Sequence, residues 1–399
     1  MARQRLLGID VLRFASALMV VVFHLGFWSW AHPASTPASI LRGATAYPEI
    51  SFLSWWGWVG VEAFFVISGL VIAYSASHAR ALQFFLGRVL RLMPGAFVCA
   101  TITLGIAFSI DWLPSADLVT RYLNTLLFQS FGPWIDGVYW TLGIEVVFYG
   151  MVGLLLAGRR FGWFEAVMAV VGLASCVFWA ACLSFRVDPA MPFLGSYGSR
   201  LLELALVRHG MYFAVGAFLW FGFFRGWTPR RICILAVCIV GGSIPILHEA
   251  GGKVAAHALP HSAGVPVVVW LVSVALIAAS IPADRVIKAA LSSRGVLFVQ
   301  VAGLATYPLY LLHDVVGVSL LRGLLRLGMD RYSALVLSIA VITALSVVIT
   351  VTAERRIRSV VAGVFDYFAH RQVATPIGEH RSLGPMSGTG RSAGRAIRV

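Results

Sequence analysis

Ten runs of mainly apolar residues, most of them about 17 to 25 residues long and so able to cross roughly 30 Å of hydrocarbon, leave this chain little choice of architecture. They are residues 11–30, 55–74, 94–113, 138–157, 163–183, 201–224, 232–247, 265–281, 296–312 and 333–352. The seventh and eighth are the shortest, and Pro245 and Pro266 near their ends blur the boundaries. In lipid every backbone N–H and C=O must be satisfied within its own segment or by a closed barrel, and runs this long satisfy it as helices. Composition agrees: of 399 residues 59% are hydrophobic and 12% charged, against roughly 45–50% and 25% for a soluble domain. The expected fold is an all-α polytopic membrane protein of about ten transmembrane helices.

Arginine and lysine bias sets the expected orientation. With the amino terminus cytoplasmic, the inner segments hold sixteen basic residues and the outer ones eight. An even number of spans then puts both termini inside. The net charge of +14 is thus a topology signal; no basic stripe with interleaved aromatics marks a nucleic-acid surface. Residues 1–370 are expected to form the transmembrane domain. Residues 371–399, rich in Gly, Ser and Arg, read as a disordered basic cytoplasmic tail. The first span lacks a small-residue cleavage site and carries charge, so it is not a cleavable signal. The five cysteines fall within spans as small packing residues, without metal-ligand spacing. A metal site among His248, Glu249, His257 and His261 has the wrong spacing and is discounted.

Ionisable residues inside the spans are costly, at about 2.5–3.5 kcal/mol or more each, and therefore informative. In RFASALMVVVFH, Arg13 and His24 stand eleven residues apart, which is three full turns plus about 20° and a rise of about 16 Å, so they share one helix face half a membrane apart. Asp10 can pair with Arg13 at i,i+3. Counted from the outer helix ends, His24, Glu62, Glu145, Arg208 and His313 fall in roughly one layer, which predicts a buried polar site. For each alone, an interhelical hydrogen bond is the bland alternative. Arg208 is expected to neutralise Glu62 or Glu145, and Trp140 reads as an interface anchor. In ARALQFFLGRVLRLMP, Arg88 and Arg91 lie one turn apart on a short interfacial helix, with Pro94 opening the next span. Two planar guanidinium forks on one face suit phosphate, although positive-inside bias alone also explains them.

Four stretches carry a resemblance to the acyltransferase 3 family of integral membrane acyltransferases: IDVLRFASALMVVVFH, GVEAFFVISGLVI, FFLGRVLRLMP and WTLGIEVVFY, with a looser fifth in ATYPLYLLHDVV. It runs from about Leu7 to Arg358. The chain departs from the family after the last helix, where Glu354 is followed by Arg-Arg-Ile. It looks like a stand-alone member without a fused periplasmic esterase-like domain. The resemblance implies transfer of an acyl group, commonly acetyl from acetyl-CoA as co-substrate, to a carbohydrate hydroxyl such as that of a lipopolysaccharide or other cell-surface polysaccharide. The expected location is the bacterial inner membrane. On that reading His24 is the base, or carries the acyl group transiently, and Glu145 orients it; Arg13, Arg88 and Arg91 hold the donor; Asp10, Glu62, Trp140, Arg208 and His313 support the site. A transporter or flippase is the alternative, but its hallmark of repeated halves with broken helices is not evident.

Overall fold

A computed structural model describes residues 6–191, 195–354 and 356–357; the side chains of residues 195–197 and Glu354 are outside that description. All described elements belong to one compact unit that ends at Arg358. The termini, including the predicted tail and the role of Glu354, therefore lie outside the described residues.

Among the described residues every regular element is helical. Leaving aside the six-residue helix Thr36–Leu41, we number them α1 Leu7–Ala31, α2 Pro48–Ala76, α3 Ala81–Ser109, α4 Ser115–Leu126, α5 Gly137–Ala157, α6 Phe161–Ser184, α7 Gly195–Leu204, α8 Gly210–Arg225, α9 Pro229–Ala256, α10 Gly264–Ala290, α11 Ser293–Leu312, α12 Val315–Arg326 and α13 Arg331–Ala353. Nine of them (α1, α2, α3, α5, α6, α9, α10, α11 and α13) are long and apolar enough to cross a membrane. The sixteen-residue α8 is a shorter apolar helix, buried along nearly its whole length. Outward-facing Leu154, Val170, Val240 and Val336 are each at least 66% exposed, as lipid-facing side chains should be.

Three boundaries differ from those the sequence suggests. The expected interfacial helix before Pro94 and the span after it are one helix, α3, with Pro94 buried inside. Within hydrocarbon, losing one backbone bond at proline costs less than ending the helix and exposing several. Conversely, the sixth span is two helices. The chain turns over residues 205–209, with Leu206 at φ 60°, and Arg208 there reaches back to α7. Finally, α9 continues through Pro245 to Ala256, so most of the expected outer loop at 248–264 is helix.

Close crossings set α2 against two partners. A side chain at Gly60 would strike the Ser16 carbonyl of α1, and one at Gly216 of α8 would strike the Val66 carbonyl of α2. Those contacts bring the GVE segment alongside the His24 end of α1.

Candidate functional site

The last turns of α1 are not ordinary α-helix: from His24 to Trp28 the chain forms a π-helical turn, the kind of local widening that often marks a functional position. The His24 Nδ1 lies 3.2 Å from Asp314 Oδ1. A carboxylate can only accept, so Nδ1 carries the hydrogen and Nε2 keeps its lone pair. The Asp136 carboxyl lies against that of Asp314. Asp136 is fixed by the backbone N–H groups of Val138 (3.1 Å) and Val315 (3.0 Å), which tie the start of α5 to the start of α12. His313 packs edge-on against His24, ring centroids 4.7 Å apart. Its Nδ1 donates to the Tyr310 carbonyl at 2.7 Å, and its buried Nε2 has no hydrogen-bond partner.

His24 lines two neighbouring spaces at one end of the bundle. The smaller, about 290 Å³, is lined by Trp28, Trp58, Lys253 and Asp314 among others. The Lys253 ammonium lies 4.5 Å from the centroid of Trp28, 5.3 Å from that of Trp58 and 5.9 Å from that of Phe23, and 2.8 Å from Glu249. The larger space, about 480 Å³, is walled by Glu62, Trp134, Trp140, Arg200, Arg208 and His209 among others. In that wall Glu203 accepts from Arg200 at 2.8 Å and from Arg208 at 3.0 Å.

A separate cavity of about 70 Å³ holds Arg13, Arg91, Ser68, Glu145 and Tyr307. Arg13 makes the expected i,i+3 contact with Asp10, at 3.6 Å. Glu145 accepts from Ser68 Oγ (3.0 Å) and from the Tyr149 hydroxyl (2.9 Å). Val61 and Tyr310 line this cavity and the His24 cavity alike, so they form the septum between them. Thr141 donates to the Tyr310 hydroxyl at 3.3 Å.

The expected single layer is thus two compartments. His24, Glu62, Trp140 and Arg208 converge on the outer cavities, with His313 directly behind His24. Arg13, Arg91 and Glu145 converge on the other. Glu145 does not orient His24; Asp314 does. Five residues beyond Trp140 on α5, Glu145 sits about 7.5 Å further along the axis and some 140° round it. Arg208 neutralises Glu203, not Glu62 or Glu145, because the break before α8 turns it towards α7. Arg88 does not line the Arg13 cavity as Arg91 does; its guanidinium lies over Phe84 and Tyr149, 5.5 and 5.8 Å from their centroids.

Sequence reading missed Asp136, Asp314, Lys253 and Tyr310. Only Asp314 left a signal, as an acid adjoining His313 at the end of an apolar run. Lys253 looked like loop because Pro245 seemed to close the helix that carries it.

A helical bundle of long apolar spans that holds ionisable side chains in cavities between them belongs to the class of multi-pass membrane proteins with polar sites inside the bundle. The family assigned by comparison is the acyltransferase 3 acyltransferase domain, which matches residues 6–355. The chain belongs to that family. It is also similar to nodulation protein 10 of Rhizobium leguminosarum bv. viciae, 28% identical over 208 residues. The alignment covers 46% of this chain and 53% of that relative, so it spans about half of each. No solved structure matches the chain.

Proposed function

We propose that the protein moves an acyl group, most often acetyl, from cytoplasmic acyl-CoA to a hydroxyl of a carbohydrate such as a cell-surface polysaccharide or lipopolysaccharide, in the bacterial inner membrane. One observation carries this reading: the His24 imidazole, held by Asp314, borders the outer cavities, while Arg13 on the same helix joins Arg91 in a cavity beyond the septum. Positive-inside bias places the arginine cavity towards the cytoplasm.

Arg13 and Arg91 offer planar forks to the donor's phosphates. The pantetheine arm then runs past Val61 and Tyr310 and brings its thioester towards His24, about 16 Å along α1 from Arg13. His24 Nε2 takes the proton of the acceptor hydroxyl as its oxygen attacks the thioester carbon. The C–O bond forms, the C–S bond breaks, and the imidazolium returns its proton to the departing thiolate, giving the ester and free CoA. Asp314 stabilises the imidazolium, as a triad carboxylate does. Lys253, which faces the same cavity as His24 beside its partner Glu249, supplies positive charge for the oxyanion.

The test uses purified protein in nanodiscs with labelled acetyl-CoA and the membrane glycans of the source cell. His24→Ala should lower acetyl transfer and glycan-dependent CoA release by about 10²–10⁴-fold. Unchanged transfer by folded His24→Ala protein removes His24 from the chemistry. Glycan movement without CoA release would instead mark a carrier.

A further inference from the structure

Helices joined by a short turn usually pack side by side, but α5 and α6 part: α5 lies against α3, and α6 against α8 and α9. Between them is a cleft of about 710 Å³, lined by Val147, Met151, Leu154 and Leu155 of α5, Val167 of α6, and Arg160 from the turn that joins them. Leu154, on its wall, is 76% exposed, so the cleft faces lipid. It shares no lining residue with the cavities of His24 and Arg13. On α5 the lining runs from Val147 to Gly158, eleven residues and about 16 Å, or roughly half the thickness of the hydrocarbon. That is the reach of one leaflet's acyl chain. Gly150 keeps the wall low, since a side-chain carbon added there meets nothing within 4 Å.

The mouth of the cleft is cationic. After Gly158 the chain turns through Arg159 at φ 55°, and the Arg160 N–H donates to the Leu155 carbonyl at 2.7 Å. This folds the turn back over the end of α5, with the Arg160 stem alongside Gly158. Arg159 and Arg160 are both exposed and enter none of the ion pairs among the described residues. Glu165, the next acid along the chain, is held by Arg231 at 2.7 Å. Trp163, 67% exposed, stands at the start of α6, where an indole marks headgroup depth. Positive-inside bias accounts for arginines at a cytoplasmic helix end. It gives no reason for one of them to line an apolar cleft between spans, the arrangement in which basic residues hold anionic headgroups.

We propose that this cleft binds an anionic phospholipid of the cytoplasmic leaflet, one acyl chain lying between α5 and α6 and the phosphate meeting Arg160 with Arg159 beside it. The bound lipid supplies the packing that α5 and α6 do not give each other. A zwitterionic lipid offers the same chain, but its ammonium offsets the phosphate, so charge decides which lipid stays.

The probe is phosphatidylglycerol with a diazirine in one acyl chain, a trace component of phosphatidylcholine nanodiscs holding the full-length protein. Labelling after illumination is mapped by mass spectrometry. It should concentrate on residues 147–167, and unlabelled phosphatidylglycerol should suppress it about fivefold more effectively than unlabelled phosphatidylethanolamine, the effect of one basic residue at a charged surface. Arg160→Gln should bring the two competitors within about twofold of each other. Gly150→Phe, which fills the cleft without a clash, should lower labelling there about tenfold by denying the chain its burial. Melting curves confirm folding, and Arg160→Gln changes only an exposed turn, so it decides the matter even where Gly150→Phe lowers stability. Equal suppression by both lipids in the parent, a preference that survives Arg160→Gln, or unaltered labelling of folded Gly150→Phe overturns the proposal. So does suppression by inorganic phosphate equal to that by the lipid, which marks a site for a soluble anion. A cleft that stays unlabelled overturns it as well, whether the nanodisc holds one copy or a second chain covers the cleft.

Discussion

Replacing Asp314 tests how the imidazole is set for its task. The carboxylate has one geometric duty, holding hydrogen on His24 Nδ1 across 3.2 Å, and one electrostatic duty, favouring the imidazolium that forms during transfer. Asp314→Ala removes both without imposing a new partner. A hydrogen bond to a charged group contributes about 1.5–3 kcal/mol, so acyl transfer should fall roughly 10- to 150-fold at about 1.4 kcal/mol per tenfold. Asp314→Asn is nearly isosteric yet should be worse. Its amide can turn its N–H₂ towards Nδ1, which fixes the hydrogen on Nε2 and leaves no base facing the acceptor. The corresponding change in a serine protease triad costs about 10⁴. The assay is initial-rate release of CoA with saturating labelled acetyl-CoA and source-cell glycan, alongside a melting curve to confirm folding. An Asn variant within threefold of the parent, or one clearly more active than Ala, would refute the tautomer argument.

Other expectations follow from the same geometry. Arg13→Gln and Arg91→Gln should each weaken CoA binding by roughly 10- to 150-fold, the worth of one charge-assisted hydrogen bond. Arg88→Gln should weaken it less, because that guanidinium packs on Phe84 and Tyr149; calorimetric titration with CoA measures all three. Lys253→Met should lower kcat by about 10²–10³ with little change in KM for acetyl-CoA, as expected when an oxyanion loses its stabilising charge, and steady-state kinetics separates the two constants. Gly216→Val should destabilise the bundle by about 1–3 kcal/mol or more through overpacking against the Val66 carbonyl, seen as a lower melting temperature in detergent.

Much of the fold was legible because hydrocarbon imposes a length and a polarity on every span. Arg13, Asp10 and His24 could be placed from one helix alone, since their relations depend only on the period of that helix. The partner of His24 could not. Asp314 is 290 positions away, and its approach depends on Asp136 tying the start of α5 to that of α12. The depth count that grouped Glu145 with His24 assumed untilted helices beginning in one plane. Interior prolines misled in the same direction twice: Pro94 and Pro245 look like helix ends to a local rule, yet α3 and α9 pass through them. The break before α8 was hidden because residues 201–207, LLELALV, run almost without charge into the apolar helix that follows.

A bilayer that is energised must also stay sealed, and an enzyme opening towards both faces endangers that. Tyr310 and Val61 line the cavities on both sides, so the barrier between them runs through these two side chains. Any group passing from one cavity to the other would have to displace the Tyr310 ring and would itself occupy the gap so made.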